Sequence, residues 1–448
     1  MYSNRPVPVH ISAAEHGITP EQISHHALTV LQRLHEQGYG AYLVGGCVRD
    51  ALVGQLPKDF DVVTDARPEQ VRALFRHARI IGRRFRIVHV IFGHEVIEVT
   101  TFRGGDDDAV RRSDQGRILR DNVFGTLEED VWRRDFACNA LYYDFATAEI
   151  IDFVQGWQDV SAGRLRLIGN PQTRYQEDPV RMLRAARFAA KLGFKLTEDT
   201  AAAIHPCRHL LKDIAPARLF DESIKLFQGG YGWSAFEQLR ALDLFGFLFA
   251  GLDELLNRDY VRIAALLKQI LQGTDERVAA QLPVNPAFLF AGMLWPDLTR
   301  RREYWLHQRV DSETALAVAA DEVIDSAVRQ VAIPRRLTDL MRVLWALQPQ
   351  LERWGAIGEP GLPLAQLSAD HKHLLAHAWF RAGLDFLCLR AAVGEVSESI
   401  CAFWRQYAPA REAQGGELIP THLPEDFASH GSLPDRPRRS RHRRPRRA

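Results

Sequence analysis

Two aspartates stand one residue apart in Lys58-Asp59-Phe60-Asp61. On a strand, side chains alternate, so both carboxylates share a face and Phe60 points to the core. Adjacent carboxylates repel unless a cation sits between them, and Mg²⁺ favours carboxylate oxygens together with substrate phosphates. Two such ions can activate an attacking hydroxyl and stabilise a leaving pyrophosphate. A DxD triplet alone is more often a solvated turn, so its surroundings decide. Upstream, Leu43-Val44-Gly45-Gly46-Cys47-Val48-Arg49-Asp50 ends an apolar strand at a Gly-Gly turn and opens a helix. Gly45 and Gly46 there let backbone N–H groups approach a phosphate closely, and Arg49 adds charge. The third carboxylate is Glu98 or Asp135. Glu98 faces the same way as Val96 and Thr100, while Asp135 sits in Arg133-Arg134-Asp135-Phe136. No GxxxxGK[ST] string is present, which excludes a P-loop kinase.

These residues need elements to hold them. Thr19 to Gln37 reads as an amphipathic helix, Ala41–Val44 as a strand, Cys47 to Leu52 as a helix and Phe60 to Val63 as a strand. Pro68 to Phe75 is helical with proline in its first turn. Arg86 to Phe92 and Val96 to Phe102 form a hairpin around Gly93-His94. Gly104 to Gly125 lacks an apolar period and reads as a mobile loop. Beyond Asp178 the chain is almost wholly helical, with loops near Gly229-Gly230, Gly273 and Pro283 to Pro286. The expected class is α+β: a head with a small mixed sheet at 20–152, then all-helical parts at 153–215, 216–345 and 346–408. From 409 to 448, proline, glycine and charge predict a disordered basic tail.

The 448 residues exceed one ordinary domain, and 46% hydrophobic with 25% charged is ordinary for a globular protein. The longest apolar run, Ala287 to Trp295, is too short to span a bilayer, so no membrane insertion is expected. Five scattered cysteines without a CxxC pair argue against a zinc site or a disulfide framework. Together with a polar N-terminus, they point to the cytoplasm. The net charge of +1 hides an asymmetry. Arg436, Arg438, Arg439, Arg441, Arg443, Arg444, Arg446 and Arg447 crowd the end, and without them the chain is acidic. Such a tail suits a polyanion.

Five strings resemble the tRNA nucleotidyltransferase/poly(A) polymerase family of the polymerase β-like superfamily: LVGGCVRD (43–50), KDFDVVTDA (58–66), IEVTTFR (97–103), RRDFACNALYYD (133–144) and EDPVRMLRAARFAAKLGF (177–194). The resemblance implies a head, neck, body and tail, with the active site at the head–neck junction. It implies template-independent extension of RNA 3′ ends, ATP as substrate, and Mg²⁺, with Mn²⁺ as the alternative ion. It gives Arg134, Asp135, Asp178 and Arg181 to the nucleotide; Lys58 and Arg184 join that set by charge, and Asp59 and Asp61 are the expected metal ligands. Asp178 would accept from an exocyclic amine and Arg181 donate to a ring nitrogen. That pair suits adenine and cytosine alike. Ala137 stands where the family usually has threonine.

Arg181, Arg184 and Arg187 recur at i, i+3, i+6, a basic helix face suited to triphosphate or RNA backbone. Ile80-Ile81-Gly82-Arg83-Arg84-Phe85-Arg86-Ile87-Val88-His89-Val90 resembles the string typical of the poly(A) branch, with Arg83, Arg84 and Arg86 as RNA-phosphate contacts. Arg438, Arg439, Arg443 and Arg444 in the tail extend that expectation to RNA 3′ ends (mRNA and small RNAs) and to RNA-decay proteins. The rival readings are CCA addition to tRNA and a catalytically silent RNA-binding scaffold. Three mutually repelling carboxylates argue against the scaffold.

Overall fold

A computed structural model describes residues 7–82, 86–104, 111–112, 118–120 and 123–408. Twelve strands form among the described residues: β1 (Val9–Ile11), β2 (Ala41–Val44), β3 (Asp61–Thr64), β4 (Ala78–Ile81), β5 (Ile87–Phe92), β6 (Glu95–Thr101), β7 (Arg111–Arg112), β8 (Ile118–Arg120), β9 (Leu141–Asp144) and β10 (Glu149–Asp152), besides Arg164–Leu165 and Lys195–Leu196, which pair in parallel with each other. Eight of them build one mixed sheet in the order β1-β10-β9-β2-β3-β6-β5-β4. Only β3 and β6 pair in parallel within it, which sets Asp61 opposite Glu98. The sheet is larger than expected. β1, β4, β9 and β10 are short, and their patterns do not stand out locally. β7 and β8 pair with each other inside the stretch read as a loop; the rest of residues 105–122 lies outside the described residues.

Local chemistry explains the helices that flank the sheet. His25–Glu36 begins where Ser24 Oγ accepts from the His26 amide at 3.2 Å; Pro20–Gln22 is a separate single turn. The helix therefore starts six residues later than Thr19. Leu127–Arg133 opens with a capping box between Thr126 and Glu129. Asn170 caps Pro171–Glu177 by accepting from the Thr173 amide at 3.0 Å. Below the sheet Val44, Val63, Ala137, Tyr142 and Ile168 join one buried cluster.

The chain forms two compact units. The first runs to Glu254 and takes in Leu271–Leu282 and Ala327–Ala332; the second holds Leu255–Ile270, Pro283–Ser326 and the chain from Ile333. The second unit is helical, with Trp345, Trp379 and Trp404 fully buried. Trp345 Nε1 donates to the Ala291 carbonyl at 2.9 Å and Trp404 Nε1 to that of Leu351 at 2.8 Å. Two expectations are corrected. Gly273 lies inside the helix Tyr260–Ala279, because the apolar period on either side outweighs the roughly 1 kcal/mol cost of one glycine. Cys388 and Cys401 are joined as a disulfide, brought together by the packing of Phe380–Ala392 on Glu398–Arg405, which cysteine spacing does not reveal. Cys47, Cys138 and Cys207 are free and buried. Among the described residues no helix is long and apolar enough to cross a membrane.

Candidate active site

Strand β2 delivers the chain to Gly45, which sits at φ +82°, and Gly46 opens the helix Gly46–Leu52. A Cβ added at Gly45 would lie 3.7 Å from Asp61 Oδ2 and 3.8 Å from Arg134 Nη1. The glycine thus leaves a notch between a carboxylate and a guanidinium. Asp61 opens β3; Asp59 lies on a bend before the strand, so strand alternation does not set its direction. Phe60 between them is buried, as expected. Lys58 and Asp59 are exposed.

The Asp61 carboxyl is pushed up to about 6, first by desolvation, then by Glu98 and Asp59, against the lowering pull of Arg134. Asp59 and Glu98 therefore repel charge on Asp61, and Arg134 pulls the other way. Glu98 is half-exposed on β6, with Oε1 3.3 Å from His89 Nε2. The donors are oxygens, as a hard divalent ion prefers. Among the described residues, no group of three or more His, Cys, Asp or Glu forms a metal cage by itself.

Asp135 is placed differently. Its Oδ2 accepts from Arg184 Nε at 2.7 Å, and its Oδ1 accepts from the Phe136 amide at 2.8 Å and Asn139 Nδ2 at 3.1 Å. Burial pushes its pKa up, but Arg184 and these hydrogen bonds outweigh burial and hold it well below the usual carboxylate range. Both its oxygens are engaged within the protein. The geometry thus pairs Glu98, not Asp135, with Asp61.

Arg134 is held from behind. Its Nε and Nη2 donate to Asp130 Oδ2 at 3.0 and 2.8 Å, and Nε also donates to the Tyr142 hydroxyl at 2.8 Å. Burial opposes its charge, but these two partners raise its pKa, so it stays cationic. Its Nη1 edge faces the Gly45 notch. Sequence reasoning missed Asp130 and Tyr142. Asp130 could have been found, since it precedes Arg134 by one helical turn.

The helix Val180–Leu192 follows Asp178-Pro179. Its arginines do not form a free basic face. Arg181 is buried, its Nη1 donating to the Arg174 carbonyl at 2.8 Å and to Glu177 at 3.1 Å. Arg184 meets Asp135, and Arg187 turns inward to Glu222 and over the Phe188 ring. Arg49 is buried too: it bonds Asp50 and Asn139 and lies 5.1 Å over Phe188, so it braces the Gly-Gly turn rather than reaching for solvent. The reason is common to all: a guanidinium that loses water needs acceptors, and neighbouring elements supply them. Asp178 Oδ2 accepts from Arg218 Nη2 at 2.9 Å. Arg86 pairs with Glu69. Arg83, Arg84 and the tail arginines lie outside the described residues.

Residues 41–166 match the Poly A polymerase head domain, 193–256 the probable RNA and SrmB-binding site of polymerase A, and 308–448 the polymerase A arginine-rich C-terminus. The chain is 45% identical to Poly(A) polymerase I of Salmonella typhi over 431 residues, 92% of this chain and 89% of that one. The chain belongs to the poly(A) polymerase family. Poly(A) polymerase I of Haemophilus influenzae is 43% identical over 91% of this chain and 90% of its own. A CCA-adding enzyme of Bacillus pumilus is 40% identical, but over 49% of this chain and 54% of its own. Among solved structures, the Bacillus stearothermophilus CCA-adding enzyme with CTP aligns at TM-score 0.56 and 26% identity, covering 90% of this chain and 85% of its own. As a member of the poly(A) polymerase family the chain is a nucleotidyltransferase, and the family implies ATP and a divalent metal ion.

Proposed function

We propose that the chain adds AMP from ATP to RNA 3′ ends without a template, releasing pyrophosphate. The observation that carries this is the run of similarity to Poly(A) polymerase I through head, RNA-binding site and arginine-rich C-terminus, against half a chain for a CCA-adding enzyme. The setting is the cytoplasm, the RNAs are mRNA and small RNAs, and the arginine-rich tail contacts RNA and RNA-decay proteins.

Asp59, Asp61 and Glu98 would hold Mg²⁺, with Mn²⁺ as the alternative ion. Bound there, a divalent ion would acidify the 3′-hydroxyl and neutralise the triphosphate. Gly45 and Gly46 leave room for a phosphate, and Lys58 and the Nη1 edge of Arg134 add positive charge. Asp178 accepts from the adenine amine. Arg181, anchored through Nη1, presents its remaining donors to the ring. Asp135 positions Arg184 and Asn139 rather than binding metal. Extension of an unstructured RNA with ATP alone and CTP alone tests the reading. A long ladder with ATP supports it; no ladder, but one to three nucleotides added to truncated tRNA, moves the chain to CCA addition.

A further inference from the structure

Across the mixed sheet the register lines up three side chains on one face. β3 sets Asp61 opposite Glu98, and β5 sets His89 opposite Glu98 from the other side. Directly opposed residues point the same way, with Cβ atoms about 5 Å apart. His89 therefore stands beside the carboxylates, on the flank of Glu98 away from Asp61. The next row, Val62, Val99 and Val88, points the opposite way and is buried.

His89 and Glu98 are close without being bonded. His89 Nε2 lies 3.3 Å from Glu98 Oε1, yet it is shut off from water and has no hydrogen-bond partner among the described residues. The His89 side chain is 28% exposed and that of Glu98 46%, so the carboxylate is the freer of the two to turn. A buried polar atom without a partner costs the resting fold stability, and such atoms often mark a functional role. Catalytic hydrogen bonds are often long or misaligned in the free enzyme and tighten in the substrate complex. A carboxylate can only accept, so this bond requires the proton on Nε2.

We propose that His89 is a positioning residue for Glu98. Its Nε2–H takes Oε1, which fixes the carboxylate and leaves Oε2 for the divalent ion. Carboxylate ligands are commonly held in this way by a neighbour that does not touch the metal. The proposal rests on Glu98 being a ligand of that ion. His89 shares the string Ile80 to Val90 with Arg83, Arg84 and Arg86, but it serves the reaction centre rather than RNA phosphates.

The test follows Mn²⁺ binding to the full chain through the electron paramagnetic resonance signal of the free ion. It compares wild type, His89→Leu, His89→Gln, Glu98→Gln and the double variant His89→Leu with Glu98→Gln. His89→Leu should bind Mn²⁺ about tenfold more weakly. His89→Gln, whose amide donates from much the same place, should recover most of that loss. On the Glu98→Gln background His89→Leu should add nothing, because it acts through Glu98. In ATP-dependent extension His89→Leu should need more Mg²⁺ for its half-maximal rate, while KM for the RNA primer and the melting temperature stay as in wild type. Unchanged Mn²⁺ affinity in His89→Leu, beside a weakened Glu98→Gln, overturns the proposal and leaves Glu98 as a ligand. A further loss in the double variant also overturns it, since His89 would then touch the ion or support the fold directly. If Glu98→Gln binds Mn²⁺ as wild type does, the metal reading of Glu98 fails and the proposal falls with it.

Discussion

The carboxylate site and the helix Val180–Leu192 lie in one compact unit and treat charge in opposite ways. Along the helix each of three arginines has a fitted acid: Glu177 for Arg181, Asp135 for Arg184 and Glu222 for Arg187. At the β3–β6 junction Asp61, Glu98 and Asp59 are gathered, and at Asp61 the pull of Arg134 falls short of burial and the neighbouring acids. A fold at rest favours the first arrangement, since buried charges need partners. The second is tolerated because Asp59 and Asp61 are exposed and Glu98 is half-exposed, so water solvates them. Imbalance, rather than the mere presence of charge, marks where the chemistry belongs.

The largest effect should come from removing the imbalance. Asp61→Asn is expected to cut AMP incorporation by at least ~10³-fold, about 4 kcal/mol of transition-state stabilisation, while the melting temperature without metal holds or rises. Retained activity, or a clear loss of stability, would contradict the assignment. Next, Asp135→Asn strands Arg184 and should cost about 1–3 kcal/mol in urea unfolding, discounted because Arg184 is about one-third exposed. Glu98→Gln should do the reverse, sparing stability and abolishing extension. If Glu98→Gln stays active and Asp135→Asn unfolds no more easily than wild type, the two regions have been assigned the wrong way round.

A smaller effect sharpens the Arg134 clamp. Tyr142→Phe removes a hydroxyl that accepts from Arg134 Nε and donates to Asp130 Oδ2, about 1 kcal/mol for each bond, so KM for ATP should rise about fivefold and the melting temperature should fall. An unchanged KM would mean that Asp130 alone holds the side chain. The smallest effect is in acid. Asp135 has a folded-state pKa below its ordinary value, so its stabilisation is complete above the unfolded carboxylate pKa and is lost as pH falls through the folded one. Wild type should therefore lose more stability than Asp135→Asn on going from pH 5 to pH 2; parallel acid limbs would refute the linkage.

Much of this was legible in residue order. The Gly-Gly turn, Phe60 as core, the outward face of Glu98 and the long helical second half follow from period and turn chemistry. The helix arginines were not legible, because i, i+3, i+6 spacing describes a face without saying what covers it. Asp135 and Glu222 reach them from 49 and 35 residues away. The Cys388–Cys401 pairing was hidden for the same reason.

What the sequence determined by itself was the inventory: which carboxylates, which glycines, which family strings in which order. Strand alternation and glycine's freedom at positive φ are local properties, readable from neighbours along the chain. The tertiary structure alone decided the partners. The parallel pairing of β3 with β6 set Glu98 beside Asp61, and packing of the helix Val180–Leu192 against Phe136–Asn139 committed Asp135 to Arg184. Charge balance is a sum over neighbours in space, and residues far apart in the chain contribute most of it here.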